Sequence, residues 1–424
     1  MKLPHLPGQR KNLVILFFTI MVVNIGFGII LPILPYYAQN LGASASMLGL
    51  LSASYATLQF IFAPIWGRIS DRIGRRPVLL VGLSGFAISF LVFGFASRLW
   101  MLFLARVISG ILSSATLPTA LAYIADTTPP ENRARGMGLM GAASGLGMIL
   151  GPAVGGFLSA IHIQIPFFAS AGITILIFAF ALIYLPESLL KTHRTAEYSA
   201  SSIQINPFQR LMSGLQGKMA FFMIIATLTS LGMAQVEAIG ALYAKARFGA
   251  GPMQMGLLFI LVGGLGVFSQ FVIVGPLIKK IGEQRSIQIS LLGVGTSFLL
   301  CGLAETYLLG ILGVLILGTT IALLRPALNT LVSRSAGPSR QGAALGTVSS
   351  FYSLGMMFGP VTGGLIFDWL GISSPFFFSA IIHLAVFAAS WFLFPHPARN
   401  FGIHRTHHSN PASPTNQTDP ADKI

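Results

Sequence analysis

The chain has 424 residues, 54% of them hydrophobic and only 9% charged. A soluble domain of this size cannot hide so much apolar surface, so the composition excludes a soluble globular protein and makes a bilayer the solvent. The net charge of +15 does not point to nucleic acid, because the basic residues sit in short stretches between apolar runs, and the single cysteine, Cys301, rules out an internal disulfide.

In chain order, residues 1–11 are short and basic. The apolar run 12–37 that follows has no small-residue cleavage site and is too long for a signal-peptide core, so it is expected to be a retained first helix. Further apolar spans follow at 46–66, 77–97, 99–124, 136–160, 165–185, 219–243, 252–278, 286–303, 306–332, 341–367 and 374–394. With the first run these make twelve, each near the ~20 residues a helix needs to cross the hydrocarbon. An even number puts both termini on one side. Arg68, Arg72, Arg75, Arg76, Arg133, Arg135, Lys279, Lys280 and Arg285 fall on that side, against Arg98, Lys245 and Arg247 on the other. Lys and Arg resist translocation, so both termini are expected in the cytoplasm of a multi-pass cell-membrane protein.

The expected organisation is all-α: a six-helix bundle over 1–185, a polar cytoplasmic linker over 186–218, a second six-helix bundle over 219–394 and a disordered polar tail over 395–424. His404, His407 and His408 cluster in that tail, but no rigid element presents them, and no metal site is expected.

The halves repeat. Gly147, Gly151, Pro152, Gly155 and Gly156 recur as Gly355, Gly359, Pro360, Gly363 and Gly364, at a constant offset of 208 that also relates Gly67 to Gly275 and Gly74 to Gly282. One shift across separate motifs implies two homologous bundles, with a substrate cavity between them near mid-membrane. The copies differ in their charges. Asp71 becomes Lys279, Arg106 becomes Val314, and Leu117 becomes Arg325. Polar residues that break a symmetric frame are where function is expected.

Three residues inside spans carry charge. Arg106 lies several residues from either end of the fourth span. It is either functional or snorkels to the interface. Glu237 is the acid well within a span. Taken out of water, a carboxylate holds a proton more readily and can exchange it as water access changes. The alternative sets Glu237 in an outer mouth, paired with Lys245 or Arg247. Arg325 precedes Pro326 in the tenth span. Asn24 and Gln59 either bond a substrate or glue helices together. The glycine run of the fifth span is either simple close packing or a functional signature.

The stretch Gly67-Arg68-Ile69-Ser70-Asp71-Arg72-Ile73-Gly74-Arg75-Arg76-Pro77 is expected to be a tight basic hairpin. It resembles the loop signature G-x-x-x-D-R-x-G-R-[RK] of the major facilitator superfamily. The fifth-span run resembles the antiporter signature of that family's drug exporters. The surroundings of Arg106 resemble the family's fourth-helix motif, whose arginine is associated with proton coupling, and those of Glu237 and Arg325-Pro326 resemble the seventh and tenth helices of its fluoroquinolone-type multidrug exporters. Where those relatives carry a further acid one turn before the arginine, this chain has Ala322, and the first span offers Asn24 in place of an acid.

The resemblance implies a major facilitator fold and proton-coupled export of small amphipathic drugs, cationic or zwitterionic, by alternating access. Proton coupling would fall to Glu237, Arg106 and Asp71, substrate binding to Glu237, Arg325, Asn24 and Gln59, and gating to Gly67, Asp71, Arg72, Gly74, Arg75 and Arg76. The implied partners are a small-molecule substrate, protons and the bilayer. No cofactor is expected, and the chain would act as a monomer. Export of a specific metabolite and a transport-inactive sensor or scaffold are the alternatives. No Ser/His/Asp set, HExxH or CxxC motif suggests an enzyme.

Overall fold

The structure is a computed structural model that describes residues 9–189, 219–337 and 341–393. Its twelve membrane-length helices, counted among the described residues, are α1 (Asn12–Asn40), α2 (Ala45–Ile73), α3 (Arg75–Gly94), α4 (Leu99–Thr127), α5 (Arg133–Ser159), α6 (Ile165–Tyr184), α7 (Met219–Phe248), α8 (Pro252–Ile281), α9 (Glu283–Leu303), α10 (Tyr307–Ala336), α11 (Gln341–Leu370) and α12 (Ser374–Phe392). A 3-10 turn at Ser113–Ala115 interrupts α4, and a π turn at Ser269–Val274 interrupts α8. From residue 190 onward the expected linker lies outside the described residues, and so does the tail with its histidines.

The starts of the helices follow local chemistry. Ser44 accepts the backbone N–H of Met47 at the head of α2, and Thr306 does the same for Leu309 at α10. Pro166 and Pro252 sit in the first turns of α6 and α8, where a missing N–H costs nothing. Large apolar side chains face outward, where lipid replaces water as the contact. Phe271, Trp369 and Phe392 are 81%, 78% and 89% exposed.

The expected basic hairpin is instead a joint one residue long. α2 stays helical through Arg68, Asp71 and Arg72 to Ile73, and α3 resumes at Arg75. Gly74 between them has φ 112°, a region closed to most side chains. Gly282, its repeat partner, does the same between α8 and α9 at φ 82°. The apolar count stopped where the charges began, but backbone hydrogen bonding is indifferent to charge, and arginines at a helix end reach the headgroups. For the same reason α7 runs on past Tyr243 through Lys245 and Arg247 to Phe248.

The repeat holds in space. A Cβ on Gly147 would stand 2.5 Å from Met21 O and 2.6 Å from Asn24 Cβ, so α5 lies almost backbone to backbone on α1. Gly359 and Gly363 bring α11 equally close to Leu231 and Gln235 of α7. The same two helices also join the halves. Gly156 meets Pro252 and Gly256 of α8, and Gly364 meets Ala45 and Ser46 of α2.

One ion pair is repeated with its charges exchanged. Arg75 Nε lies 3.0 Å from Asp126, and 208 residues later Glu283 lies 2.5 Å from Arg334 Nη1.

We call the face where α1 begins the basic face and the opposite one the far face. Hydrogen bonds between the halves gather at the far face. Tyr36 donates to Ala250 O (2.8 Å), Lys245 to Gln39 (2.6 Å), and Ala45 N (3.2 Å) and Ser46 N (2.8 Å) to Asp368. An apolar core shared by both halves backs them, with Ile33, Phe90 and Phe93 on one side and Ile239, Tyr243 and Phe298 on the other. Toward the basic face the halves part around a space lined by Ile20, Pro64, Leu121 and Ser349.

Candidate substrate and proton site

Between the halves lies a cavity of about 740 Å³. It is lined by Asn24 and Phe27 of α1, Tyr55 and Gln59 of α2, Arg106 of α4, Glu237 of α7, Arg325 of α10 and Tyr352 of α11. The structure therefore brings together five residues singled out in the sequence: Asn24, Gln59, Arg106, Glu237 and Arg325. A volume of several hundred Å³ suits a drug-sized molecule.

Arg106 reaches this cavity because α4 packs tightly on α2. A Cβ on Gly110, one turn further, would stand 2.7 Å from Leu58 Cβ and 3.2 Å from Tyr55 O. The Arg106 guanidinium carbon lies 5.4 Å from the centre of the Tyr55 ring and 6.0 Å from that of Phe93. Only 5% of the residue is exposed, so it does not snorkel to the interface. Arg325 stacks over Tyr352 at 4.7 Å. Neither tyrosine carries a sequence signal as a partner of an arginine, because the pairing crosses between helices.

Glu237 is not in an outer-mouth ion pair. Lys245 is taken by Gln39, and Arg247 Nε donates to Ala304 O at 3.1 Å. Glu237 instead faces the cavity, within electrostatic reach of Arg106 on one side and Tyr352 on the other. Among the described residues its carboxylate has no ion pair within 4 Å.

Asn24 donates to Ile20 O (2.8 Å) and to Ser144 Oγ of α5 (3.4 Å) while facing the cavity. Gln59 donates to the Tyr55 hydroxyl at 3.1 Å. Asn24 thus ties α1 to α5, Gln59 bonds within α2, and both retain polar atoms at the cavity surface.

Glu237 and Leu31 also line a second cavity of about 560 Å³ on their other side. Its walls are apolar, with Phe248, Phe259, Phe298, Cys301 and Phe376 among them. Behind α7 lies a buried polar cluster that carries no sequence signal, because its members sit on different helices. Ser379 donates to Gly232 O and Gln235 Oε1, and the Ser379 carbonyl meets His383 Nδ1 at 2.7 Å.

Asp71 is not brought to the cavity. It lies at the basic face, 2.5 Å from Arg75 Nη1. Arg75 also donates to Ser70 Oγ (2.6 Å) and pairs with Asp126. Glu187 accepts the backbone N–H groups of Arg75 (2.8 Å) and Arg76 (3.3 Å), at the positive end of α3. Gly67, Arg72, Gly74 and Arg76 share this face. The glycines of α5 do not line the drug-sized cavity; they set how closely α1 and α8 approach α5.

Two homologous six-helix halves around a largely apolar cavity that holds three charged side chains, closed on one face and open on the other, define a membrane transporter built by internal duplication. The chain belongs to the Major Facilitator Superfamily, whose family model matches residues 16–293 and 219–416. It is 32% identical over 379 residues to Multidrug resistance protein 2 of Bacillus subtilis, covering 88% of this chain and 93% of that one. It is 33% identical over 358 residues to the class G tetracycline resistance protein of Vibrio anguillarum, covering 83% and 89%. Quinolone resistance protein NorA of Staphylococcus aureus is 29% identical over 379 residues, covering 89% and 95%. Among solved structures, the nucleoside transporter NupG superposes with a TM-score of 0.75 at 14% identity, covering 92% of this chain and 100% of that one. That likeness establishes the fold.

Proposed function

We propose that this protein exports small amphipathic drugs in exchange for protons, by rocking its two halves around the central cavity. The observation that carries the reading is Glu237, a carboxylate without an ion pair among the described residues, in a drug-sized cavity between the halves. A proton and the cationic group of a drug compete for one carboxylate, so each displaces the other, and that competition is the coupling an exchanger needs. A proton moving inward gains ~2.3 kcal/mol per 100 mV of membrane potential, before any pH gradient. Kinship with multidrug, tetracycline and quinolone resistance proteins supports drugs as the cargo.

In this reading the basic face is cytoplasmic, as the Lys and Arg bias suggests. Both termini then lie in the cytoplasm, the host membrane is the cell membrane, and the structure is open inward. The bundles 1–185 and 219–394 act as rigid halves joined through 186–218. Arg106 sets the field around Glu237. The Gly67–Arg76 joint, with Asp71 and Arg75, serves the cytoplasmic gate. The glycines of α5 and α11 let the far gate close. The chain works as a monomer, needing no cofactor or metal beyond the proton gradient.

The test uses inside-out vesicles with an acidified lumen. Addition of a fluoroquinolone should release protons with the wild type and not with Glu237→Gln. Release with both proteins would move the proton site away from Glu237. Release with neither would refute drug–proton exchange.

A further inference from the structure

We propose that Arg106 and Arg325 form an anion-docking subsite, and that the exported molecules are amphipathic zwitterions, with a carboxylate-like group for the arginines and an amine for Glu237, rather than lipophilic monocations. This deepens the export reading and rests on it.

The argument begins with charge. Among the described residues, the charged side chains that line the cavity are Arg106, Arg325 and Glu237. Two cations face one anion, so the cavity carries a surplus of one positive charge with Glu237 ionised and two with it protonated. Ala322, one turn before Arg325, supplies no second carboxylate.

Neither guanidinium is held in an ion pair among the described residues, although Glu237 lies within electrostatic reach of Arg106. No described acid lies within 4 Å of Arg106 or Arg325. Arg106 is buried, with 5% of its surface exposed, and its Nε has no hydrogen-bond partner among the described residues. The Arg106 and Arg325 guanidinium carbons lie 5.4 and 4.7 Å from the ring centres of Tyr55 and Tyr352, contacts that use up none of their N–H donors. A guanidinium edge is a planar fork of donors that matches a carboxylate.

Three classes of ligand can be compared. A monocation can sit only at Glu237, and it then adds its charge to two arginines held in no ion pair. A simple anion suits the arginines, but protonating Glu237 raises the positive surplus and tightens its binding, so proton and anion would travel together. That is the wrong sign for exchange. A zwitterion meets both demands. Its amine competes with the proton at Glu237, and its anionic group satisfies the arginines.

The experiment measures binding to the full-length protein in lipid nanodiscs by equilibrium dialysis, with three probes on one scaffold. These are a fluoroquinolone with a free carboxylate and a piperazine amine, its ethyl ester (a monocation), and its N-acetylpiperazine (a monoanion). The zwitterion should bind the wild type on the order of tenfold more tightly than the ester. Arg325→Gln should remove that preference by weakening the zwitterion while the ester, relieved of one repelling cation, binds as well as before or better, and Arg325→Lys should restore part of the preference. The anion should bind without releasing protons from energised vesicles. Equal affinity for ester and zwitterion would overturn the proposal, as would equal weakening of both by Arg325→Gln. An Arg325-dependent preference without zwitterion-evoked proton release would leave the subsite standing and refute exchange. Equal half-maximal concentrations of ester and zwitterion for proton release would leave exchange standing and refute the subsite. Binding of none of the three would refute both.

Discussion

Gly363 and Gly364 are neighbours on α11, and substituting each with alanine should give opposite phenotypes. A Cβ on Gly364 would meet Ala45 O and stand 2.8 Å from both Ala45 C and Ser46 Cα, which are backbone atoms of α2 in the other half. Backbone at a helix start cannot move aside as a flexible side chain can. Overpacking of this kind costs about 1–3 kcal/mol. The cost falls only on the state in which the far face is sealed, because only there do α2 and α11 touch at this point. Gly364→Ala should therefore shift the equilibrium toward the far-open state by about 5- to 150-fold. A Cβ on Gly363 would instead stand 2.6 Å from Gln235 Cγ and 2.8 Å from Gln235 O, on α7 of its own half. That contact exists in either state, so Gly363→Ala should lower the unfolding temperature without moving the equilibrium. Spin labels at Ser97→Cys and Glu305→Cys, in a Cys301→Ser background, report the far opening through double electron–electron resonance. Gly364→Ala should add a long-distance population that Gly363→Ala lacks. Identical distance distributions for the two variants would refute the assignment of these glycines to different interfaces.

Asp368→Asn should favour far opening more weakly. It removes the charge that caps α2 through Ser46 N and Ser46 Oγ at an exposed site, which is worth about 1 kcal/mol, or roughly fivefold; unchanged distances in the same assay would show that the cap does not hold the seal. Arg75→Ala should destabilise the protein by about 1.5–3 kcal/mol, since it removes a residue only 8% exposed that bonds the partly exposed Asp71 and Asp126. Glu283→Ala should cost less than about 1 kcal/mol, because the Arg334 side chain it pairs with is 69% exposed. Unfolding midpoints in detergent compare the two, and equal shifts would contradict this ranking.

The twelve spans and the duplication were legible in the sequence because each rests on a one-dimensional signal: apolar length, or a constant offset between motifs. The cavity residues were legible too, because a charge such as Arg106 or Glu237 inside an apolar run has few places to go. Three things were not. Helix ends were placed short in α2 and α7, where charges mark the edge of the hydrocarbon rather than the end of the hydrogen-bonded helix. The tyrosines under the arginines were invisible, because the Arg106–Tyr55 and Arg325–Tyr352 pairs depend on how α4 meets α2 and α10 meets α11. The Asp368 cap on α2 was invisible for the same reason. It joins residues more than 300 positions apart in separate halves.

The exchanged ion pair bears on how this chain can be recombined. In the first half arginine at position 75 faces aspartate at 126, and in the second glutamate at 283 faces arginine at 334. What has been held constant is attraction between the two positions, whichever sign each one carries. A chimera that grafts one joint onto the other half therefore sets Arg75 against Arg334, or Glu283 against Asp126, and replaces attraction with like-charge repulsion. Segments that carry both members of a pair keep the attraction when moved between the halves, whereas a joint moved alone loses it, although the joints occupy equivalent places in the fold.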